Sequence, residues 1–104
     1  MGENMGQIDL GVSGSQVTVS PTQYPVSKNS LGSVTFHNAS SSSVTVSFTN
    51  GSPFTETQHS IPGGGNWSPH WASNATVADY DYDVTSDNLT KGTGDIDITS
   101  SPMP

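Results

Sequence analysis

The sequence predicts an all-β protein, an antiparallel Greek-key β-sandwich of seven to eight strands. Apolar and polar residues alternate through most of the chain, and no window supports a helix of any length. Turn-forming glycine, proline and asparagine separate the alternating segments. A sheet with one apolar and one polar face has to bury the apolar face, and a second sheet of the same kind covers it.

The strand candidates follow one another in chain order, each with its apolar side chains two residues apart. Their apolar positions are Ile8, Leu10 and Val12; Val17 and Val19; Val34 and Phe36; Val44, Val46 and Phe48; Tyr80, Tyr82 and Val84; and Ile96 and Ile98. Successive strand residues point to opposite faces, so each set lies on one face of its strand. The breaks contain Pro21, Pro25 and the runs 50–53, 62–65 and 92–94. We expect loops there, and we expect Tyr80 and Tyr82 in the core, one of them bonded to a neighbouring loop.

The chain length of 104 residues fits one domain and is too short for two. We expect a single β-sandwich over residues 7–99, after a disordered or expression-derived terminus at 1–6 and before a flexible tail at 100–104. The absence of cysteine removes disulfides, thiolate metal sites and thiol nucleophiles from consideration.

The charge balance excludes whole classes of partner. Two lysines, no arginine and nine acidic residues give a formal net charge of −7. A protein that binds nucleic acid needs a basic surface to displace counterions from phosphate, and a protein that binds an anionic membrane needs a basic surface too. No apolar run is long enough to span a membrane. Charged residues make up only 11% of the chain, and serine, threonine, glycine and asparagine replace them. This composition is typical of exported proteins, so we expect an extracellular, cell-surface or periplasmic location.

Several segments follow the order and spacing of a known family. Residues 32–38 (GSVTFHN) match a strand that ends in V-x-F-x-N, and residues 43–48 (SVTVSF) match the strand after it. Residues 78–84 (ADYDYDV) are similar to a late G-x-Y-x-(Y/F)-x-C strand, and 94–99 to the closing strand. Over more than half of its length the chain thus resembles the cupredoxins, Greek-key sandwiches related to plastocyanin. An immunoglobulin-like or fibronectin-like sandwich is the alternative, because alternation does not define sheet topology.

The resemblance breaks at the positions that bind copper. A blue-copper site needs two imidazoles and a thiolate, usually with an axial methionine. The resemblance places the first histidine on or near Val44, the cysteine at Val84 and the second histidine near Asp87, while Met103 lies beyond the closing strand. It therefore implies a cupredoxin-like scaffold without the redox centre, and no cofactor is predicted.

Two other groups of metal-ligating residues do not predict a metal site. The three histidines, His37, His59 and His70, lie on separate segments without HxH or HxxxH spacing. Glu56 lies three residues before His59, which on a strand places the two side chains on opposite faces. Asp79, Asp81 and Asp83 alternate along one strand, so their carboxylates share one face. Such a row of oxygens could coordinate Ca²⁺, but the favoured interpretation is a solvated face whose charge opposes association between sheets.

The most suggestive cluster for a ligand is Trp67, His70 and Trp71, in the loop-like stretch 63–74. Exposed indoles on a β-sandwich loop could stack on sugar rings. The competing interpretation is that a large aromatic side chain closes one end of the core, and burial is our expectation for Trp67.

Catalysis has little support, because no G-x-S-x-G elbow is present and no histidine is marked as the partner of a nucleophile. We expect a non-catalytic structural or protein-interaction module, and the interaction could include self-assembly. A carbohydrate-binding module that uses the loop tryptophans is the first alternative. A metal-binding cupredoxin-like protein with a non-standard site is the second.

Overall fold

The computed structural model describes residues 6–28, 31–73 and 75–100. These residues form nine β-strands in two sheets, which confirms the predicted all-β sandwich. The strands are β1 (Gln7–Ser13), β2 (Gln16–Ser20), β3 (Gln23–Ser27), β4 (Thr35–Asn38), β5 (Val44–Phe48), β6 (Gln58–Ile61), β7 (Asn66–Trp67), β8 (Ala78–Thr85) and β9 (Gly92–Thr99). Within these ranges no helix is long and apolar enough to cross a membrane. The predicted termini at 1–6 and 100–104 lie outside the described residues, apart from Gly6 and Ser100.

The two sheets are mixed, whereas the sequence predicted antiparallel ones. The four-stranded sheet has the order β2-β1-β4-β7 and the five-stranded sheet the order β3-β9-β8-β5-β6. Most neighbours are antiparallel, but β1 pairs with β4, and β3 with β9, in parallel. Each parallel pair joins strands that are far apart in the chain, so the local alternation of side chains contains no signal for it.

Three of the nine strands lie outside the predicted strand segments. β3 contains Pro25, a predicted break, and β7 has only two residues. β6 lies between two turn-rich runs and carries Gln58, His59 and Ser60 before its one buried residue, Ile61. All three are edge strands, where a short or proline-containing segment can still pair on one side.

The core lies between the two sheets and is built mainly from the predicted alternating positions, to which Phe54, Ile61, Trp67 and Ala75 are added. Its buried members are Ile8, Leu10, Val17, Val34, Phe36, Val44, Val46, Phe54, Ile61, Trp67, Ala75, Tyr82, Val84, Ile96 and Ile98. Aromatic rings join the sheets at the centre, where the ring centroids of Phe36 and Tyr82 lie 5.5 Å apart at an interplanar angle of 84°. Such edge-to-face contacts stabilise beyond the area they bury. Among the predicted inward positions, Val12 has 39% of its surface exposed, and Val19, Phe48 and Tyr80 are only partly buried.

Tyr80 confirms the expectation that one tyrosine bonds to a neighbouring loop. Its ring is half-buried, and its hydroxyl donates to the carbonyl oxygen of Thr76 at 3.1 Å. The backbone N–H of Thr76 donates to the same hydroxyl at 3.1 Å. The contact links the start of β8 to the segment before it, as a tyrosine corner does.

A proline lies within each edge strand or no more than two residues after it. These prolines are Pro21 after β2, Pro25 in β3, Pro62 after β6 and Pro69 after β7. On either side of β3, the carbonyl oxygen of Thr22 and the N–H of Lys28 both bond to β9. The backbone N–H and C=O groups of the even-numbered residues therefore point towards β9. The backbone of Pro25 points outward, so its missing N–H costs no hydrogen bond within the sheet. Pro25 therefore removes a donor from the free edge of β3 and opposes strand addition by a second chain there.

Candidate functional site

The positions that the resemblance assigns to copper ligands meet at one end of the sandwich. Val44 lies on β5 and Val84 on β8, and both side chains are fully buried in the core. The two strands are paired, with Val84 opposite Val46. Asp87 lies exposed in the turn after β8. Aliphatic side chains thus occupy the interior at this end, and they offer no lone pair to a metal.

The loops at this end are connected by hydrogen bonds. Ser86 Oγ donates to the carbonyl oxygen of Ser43 at 2.8 Å, which joins the turn after β8 to the start of β5. Next to this contact is a shallow depression of about 480 Å³. Its lining consists of Ser42, Ser43, Thr45, Thr85, Ser86 and Asp87. The depression offers hydroxyl groups and one carboxylate for hydrogen bonding, and no imidazole that could activate a nucleophile lines it.

The three histidines occupy separate environments. His37 Nδ1 lies 2.6 Å from Asn66 Oδ1, between β4 and β7. His59, on β6, is half-buried, and His70 is exposed in the loop after β7. In the part of the chain that the structure describes, no group of three or more histidine, aspartate or glutamate side chains is arranged to hold a metal ion.

Glu56 and His59 are in contact, although the sequence placed them on opposite faces of one strand. His59 Nδ1 lies 2.8 Å from Glu56 Oε1. The prediction was wrong because β6 begins only at Gln58, so Glu56 belongs to the preceding loop and the two-residue alternation does not reach it.

Trp67 is buried in the core, as expected, with 5% of its surface exposed. One contact is to Phe36, with ring centroids 5.2 Å apart, and another is to the imidazole of His59 at 4.6 Å and an interplanar angle of 4°. The stacked rings of His59, on β6, and Trp67, on β7, cover the core between these two strands. Since its indole is covered in this way, Trp67 presents no open face to a sugar ring.

Trp71 and His70 are the other two predicted ligand-binding residues, and they remain accessible. Trp71 is half-buried, with its indole N–H bonded to the carbonyl oxygen of Gly32 and its ring 4.7 Å from that of Phe54. His70 is exposed, while its carbonyl oxygen accepts the N–H of Thr55 at 3.0 Å. The structure therefore separates the cluster into one core residue and two surface residues.

The outer face of the five-stranded sheet carries a group that we call the acidic ladder. It consists of Asp79, Asp81 and Asp83 on β8 and of Asp95 and Asp97 on β9. Asp97 lies directly opposite Asp79, and Asp95 directly opposite Asp81. Lys91 Nζ lies 3.2 Å from Asp83 Oδ2. The sequence showed the three aspartates of β8. It missed the contribution of β9, although the alternation of residues 94–99 already placed Asp95 and Asp97 on one face.

The ladder raises the pKa of the two carboxyl groups on β9. For Asp97 the first cause is a hydrogen bond with the Asp79 side chain, followed by partial desolvation and by the charges of Asp79 and Asp95. For Asp95 the first cause is desolvation, followed by the charges of Asp79 and Asp81. Like charges opposite each other on a sheet disfavour the ionised forms and destabilise the pairing.

The raised pKa values predict a pH dependence of stability. Because the folded chain binds these protons more tightly than the unfolded chain, stability rises as the pH falls from neutral through the raised pKa values. The gain levels off below the ordinary carboxyl pKa of about 4. Asp97→Asn removes one charge, so we expect it to raise the free energy of unfolding at neutral pH by about 0.5 kcal/mol. Urea unfolding at a series of pH values measures both effects.

The control for this prediction is Asp87→Asn, which removes an exposed carboxylate outside the ladder. The difference between Asp97→Asn and the unchanged chain should shrink as the pH approaches about 4, since the wild-type carboxyl group is then protonated as well. Equal effects of the two substitutions at neutral pH would contradict the conclusion that charge repulsion within the acidic ladder destabilises the folded chain.

Comparison with known proteins supports the fold. No protein family and no curated protein sequence matches the chain. Among solved structures, the chain is similar to a purple cupredoxin from Nitrosopumilus maritimus, with a TM-score of 0.63 and 13% sequence identity. The match covers 91% of this chain and 100% of that chain. The protein therefore has a cupredoxin-like fold, which confirms the resemblance. The positions that the resemblance assigns to copper ligands hold Val44 and Val84 and lie near Asp87.

Proposed function

We propose that this chain is a non-catalytic module of the cell exterior or the periplasm that acts through protein contacts, self-association among them. The observation that carries the proposal is the filling of the copper-ligand positions. Val44 and Val84 are buried in the core together with the apolar side chains of the neighbouring strands. The chain thus keeps the scaffold, and apolar packing takes the place of metal ligands. A scaffold of this kind acts through contacts made by its surface.

The surface supports contacts made by faces and loops more than by strand edges. Pro25 removes a backbone donor from the free edge of β3 and so opposes the addition of a strand there. Outward-facing residues are largely hydroxyl and amide side chains, which can form hydrogen bonds to a protein partner without a large desolvation cost for charge. The same uncharged polar composition supports the proposed location outside the cytoplasm.

Sedimentation velocity over a wide range of protein concentrations tests self-association directly. We expect species larger than the monomer to accumulate with concentration, or a specific protein to be retained from an extract of the source in a native pull-down. A chain that stays monomeric at the highest concentration and retains no partner would overturn the proposal.

The two alternative functions give different results in a ligand titration. Saturable binding of Cu²⁺ that is lost in His59→Ala or His70→Ala would favour a non-standard metal protein. A saturable change of tryptophan fluorescence with one polysaccharide would favour a carbohydrate-binding module. Trp71→Phe is the matched variant for the second case, because Trp71 is the partly accessible indole while Trp67 is buried.

A further inference from the structure

The loop between β5 and β6 contains an asparagine followed by glycine, Asn50–Gly51, and this pair occurs once in the chain. We propose that Asn50 is a site of spontaneous covalent modification, where the asparagine converts through a cyclic succinimide to aspartate and isoaspartate. The inference does not depend on the proposed function, because it rests on the chemistry of this loop alone.

The reaction needs a free backbone nitrogen next to a free side-chain amide. The nitrogen of Gly51 attacks Cγ of Asn50, a C–N bond forms, and the side-chain nitrogen leaves as ammonia with the proton of the Gly51 N–H. Water then adds to one of the two ring carbonyls and opens the succinimide. Opening at one side produces aspartate, and opening at the other produces isoaspartate, in which the backbone runs through the former side chain.

The described structure leaves both reacting groups unengaged. Asn50 and Gly51 are exposed, and neither the Asn50 side chain nor the Gly51 N–H forms a hydrogen bond with a described residue. Gly51 has a φ of 94°, and a Cβ atom built on it would meet nothing within 4 Å. Glycine adds no side chain that would hinder the attack, and the space around it lets the loop reach the cyclic geometry.

The residues on either side of the pair are held in place. The N–H of Thr49 donates to the carbonyl oxygen of Asp81 at 3.0 Å. On the other side, Ser52 Oγ donates to the carbonyl oxygen of Glu56 at 2.7 Å and accepts the N–H of Phe54 at 3.0 Å. The fold can therefore keep its structure while the two residues between these anchors rearrange.

The other described asparagines lack this combination. Asn38 is fully buried, and the side chain of Asn66 bonds to His37. Asn88 is exposed, but it is followed by Leu89, whose N–H donates to the carbonyl oxygen of Ser86 at 3.2 Å. These asparagines are internal controls within the same molecule.

The test is to incubate the folded chain at mildly alkaline pH and to follow it by proteolysis and mass spectrometry. We expect a gain of about 1 Da on the peptide that contains residues 50–51, resolved into two isomers by chromatography, and a more acidic band on isoelectric focusing. Asn50→Gln is the matched variant and should abolish both changes, because its longer side chain does not form the same ring. Peptides that contain Asn66 or Asn88 should stay unchanged.

Two results would overturn the inference. One is an unmodified Asn50 in the folded chain under conditions in which the urea-unfolded chain converts, because the loop would then protect the pair. The other is conversion of Asn66 or Asn88 at the same rate as Asn50, because the loop geometry would then have no influence on the reaction.

Discussion

Replacing Asn38 by leucine is expected to lower the free energy of unfolding by about 3 kcal/mol. Asn38 is fully buried at the end of β4. Its Nδ2 reaches the carbonyl oxygens of Ser42, Ile61 and Pro62 at 2.7, 3.0 and 3.1 Å. Its Oδ1 accepts the N–H and the hydroxyl of Ser40 at 3.0 and 2.7 Å. Leucine has a similar size and offers none of these bonds, so buried polar groups would lose their partners.

The cost is large because the amide bonds to both loops, 39–43 and 62–65, which otherwise share the backbone hydrogen bond from the N–H of Gly64 to the carbonyl oxygen of Ser40 at 3.1 Å. Each buried polar group without a partner costs about 1–3 kcal/mol, and water can reach only the groups close to the surface. The backbone bonds of Asn38, from its N–H to Gly65 and from the N–H of Gly64 to its carbonyl oxygen, do not depend on the side chain. We therefore expect a folded but less stable chain, with loops 39–43 and 62–65 loosened.

Urea unfolding monitored by tryptophan fluorescence measures the effect of Asn38→Leu. The matched control is Asn50→Leu, which makes the same change at an exposed side chain and should alter stability by less than about 0.5 kcal/mol. A loss below about 1 kcal/mol for Asn38→Leu would mean that water replaces the amide in this network, and the proposed anchoring role would be wrong.

Gly94→Ala is expected to destabilise the chain by about 2 kcal/mol through overpacking. Gly94 lies opposite Tyr82 in the pairing of β8 with β9. A Cβ atom on Gly94 would lie 2.5 Å from Tyr82 Oη and 2.7 Å from Cζ. The tyrosine ring cannot easily move away, because it packs against Phe36 and Phe48 with ring centroids 5.5 and 5.2 Å apart. The phenol of Tyr82 thus occupies the space that a side chain at position 94 would need.

A double-mutant cycle separates this contact from a general effect of the substitution. In a Tyr82→Leu background, Gly94→Ala should cost less than about 0.5 kcal/mol, since the ring is gone and alanine restricts the unfolded chain. Tyr82→Phe should relieve only part of the clash, because Cζ remains in place when Oη is removed. Equal costs of Gly94→Ala in all three backgrounds would show that the tyrosine is not the reason for the glycine.

The alternation of apolar residues was a reliable guide to the core and a poor guide to the sheet edges. Ile8, Leu10, Phe36, Val46 and Ile96 are fully buried as predicted, because each lies on an inward face whose polar neighbours face solvent. The edge strands β3, β6 and β7 were missed. An edge strand pairs on one side only, and so it tolerates proline and polar residues that local reasoning assigns to loops.

Of the candidate site, the resemblance assigned copper-ligand positions to Val44 and Val84, and the structure places both side chains in the core. The sequence predicted the burial of Trp67 and left the exposure of Trp71 open. Burial of an indole depends on what lies above its ring, and the His59 imidazole that covers Trp67 comes from the other sheet. It also placed Glu56 away from His59, because the start of β6 is not visible in the pattern.

What the sequence by itself determined is the class of structure: an acidic, cysteine-free sandwich whose inward faces follow from a period of two. Only the tertiary structure decided which strands are neighbours. It brought β9 beside β8, so that Asp97 faces Asp79 and Gly94 lies under Tyr82, and it closed the Asn38 network across two loops. The physical reason is that a side chain's direction is a local property of its strand, whereas its partner depends on pairing between segments that are distant in the chain.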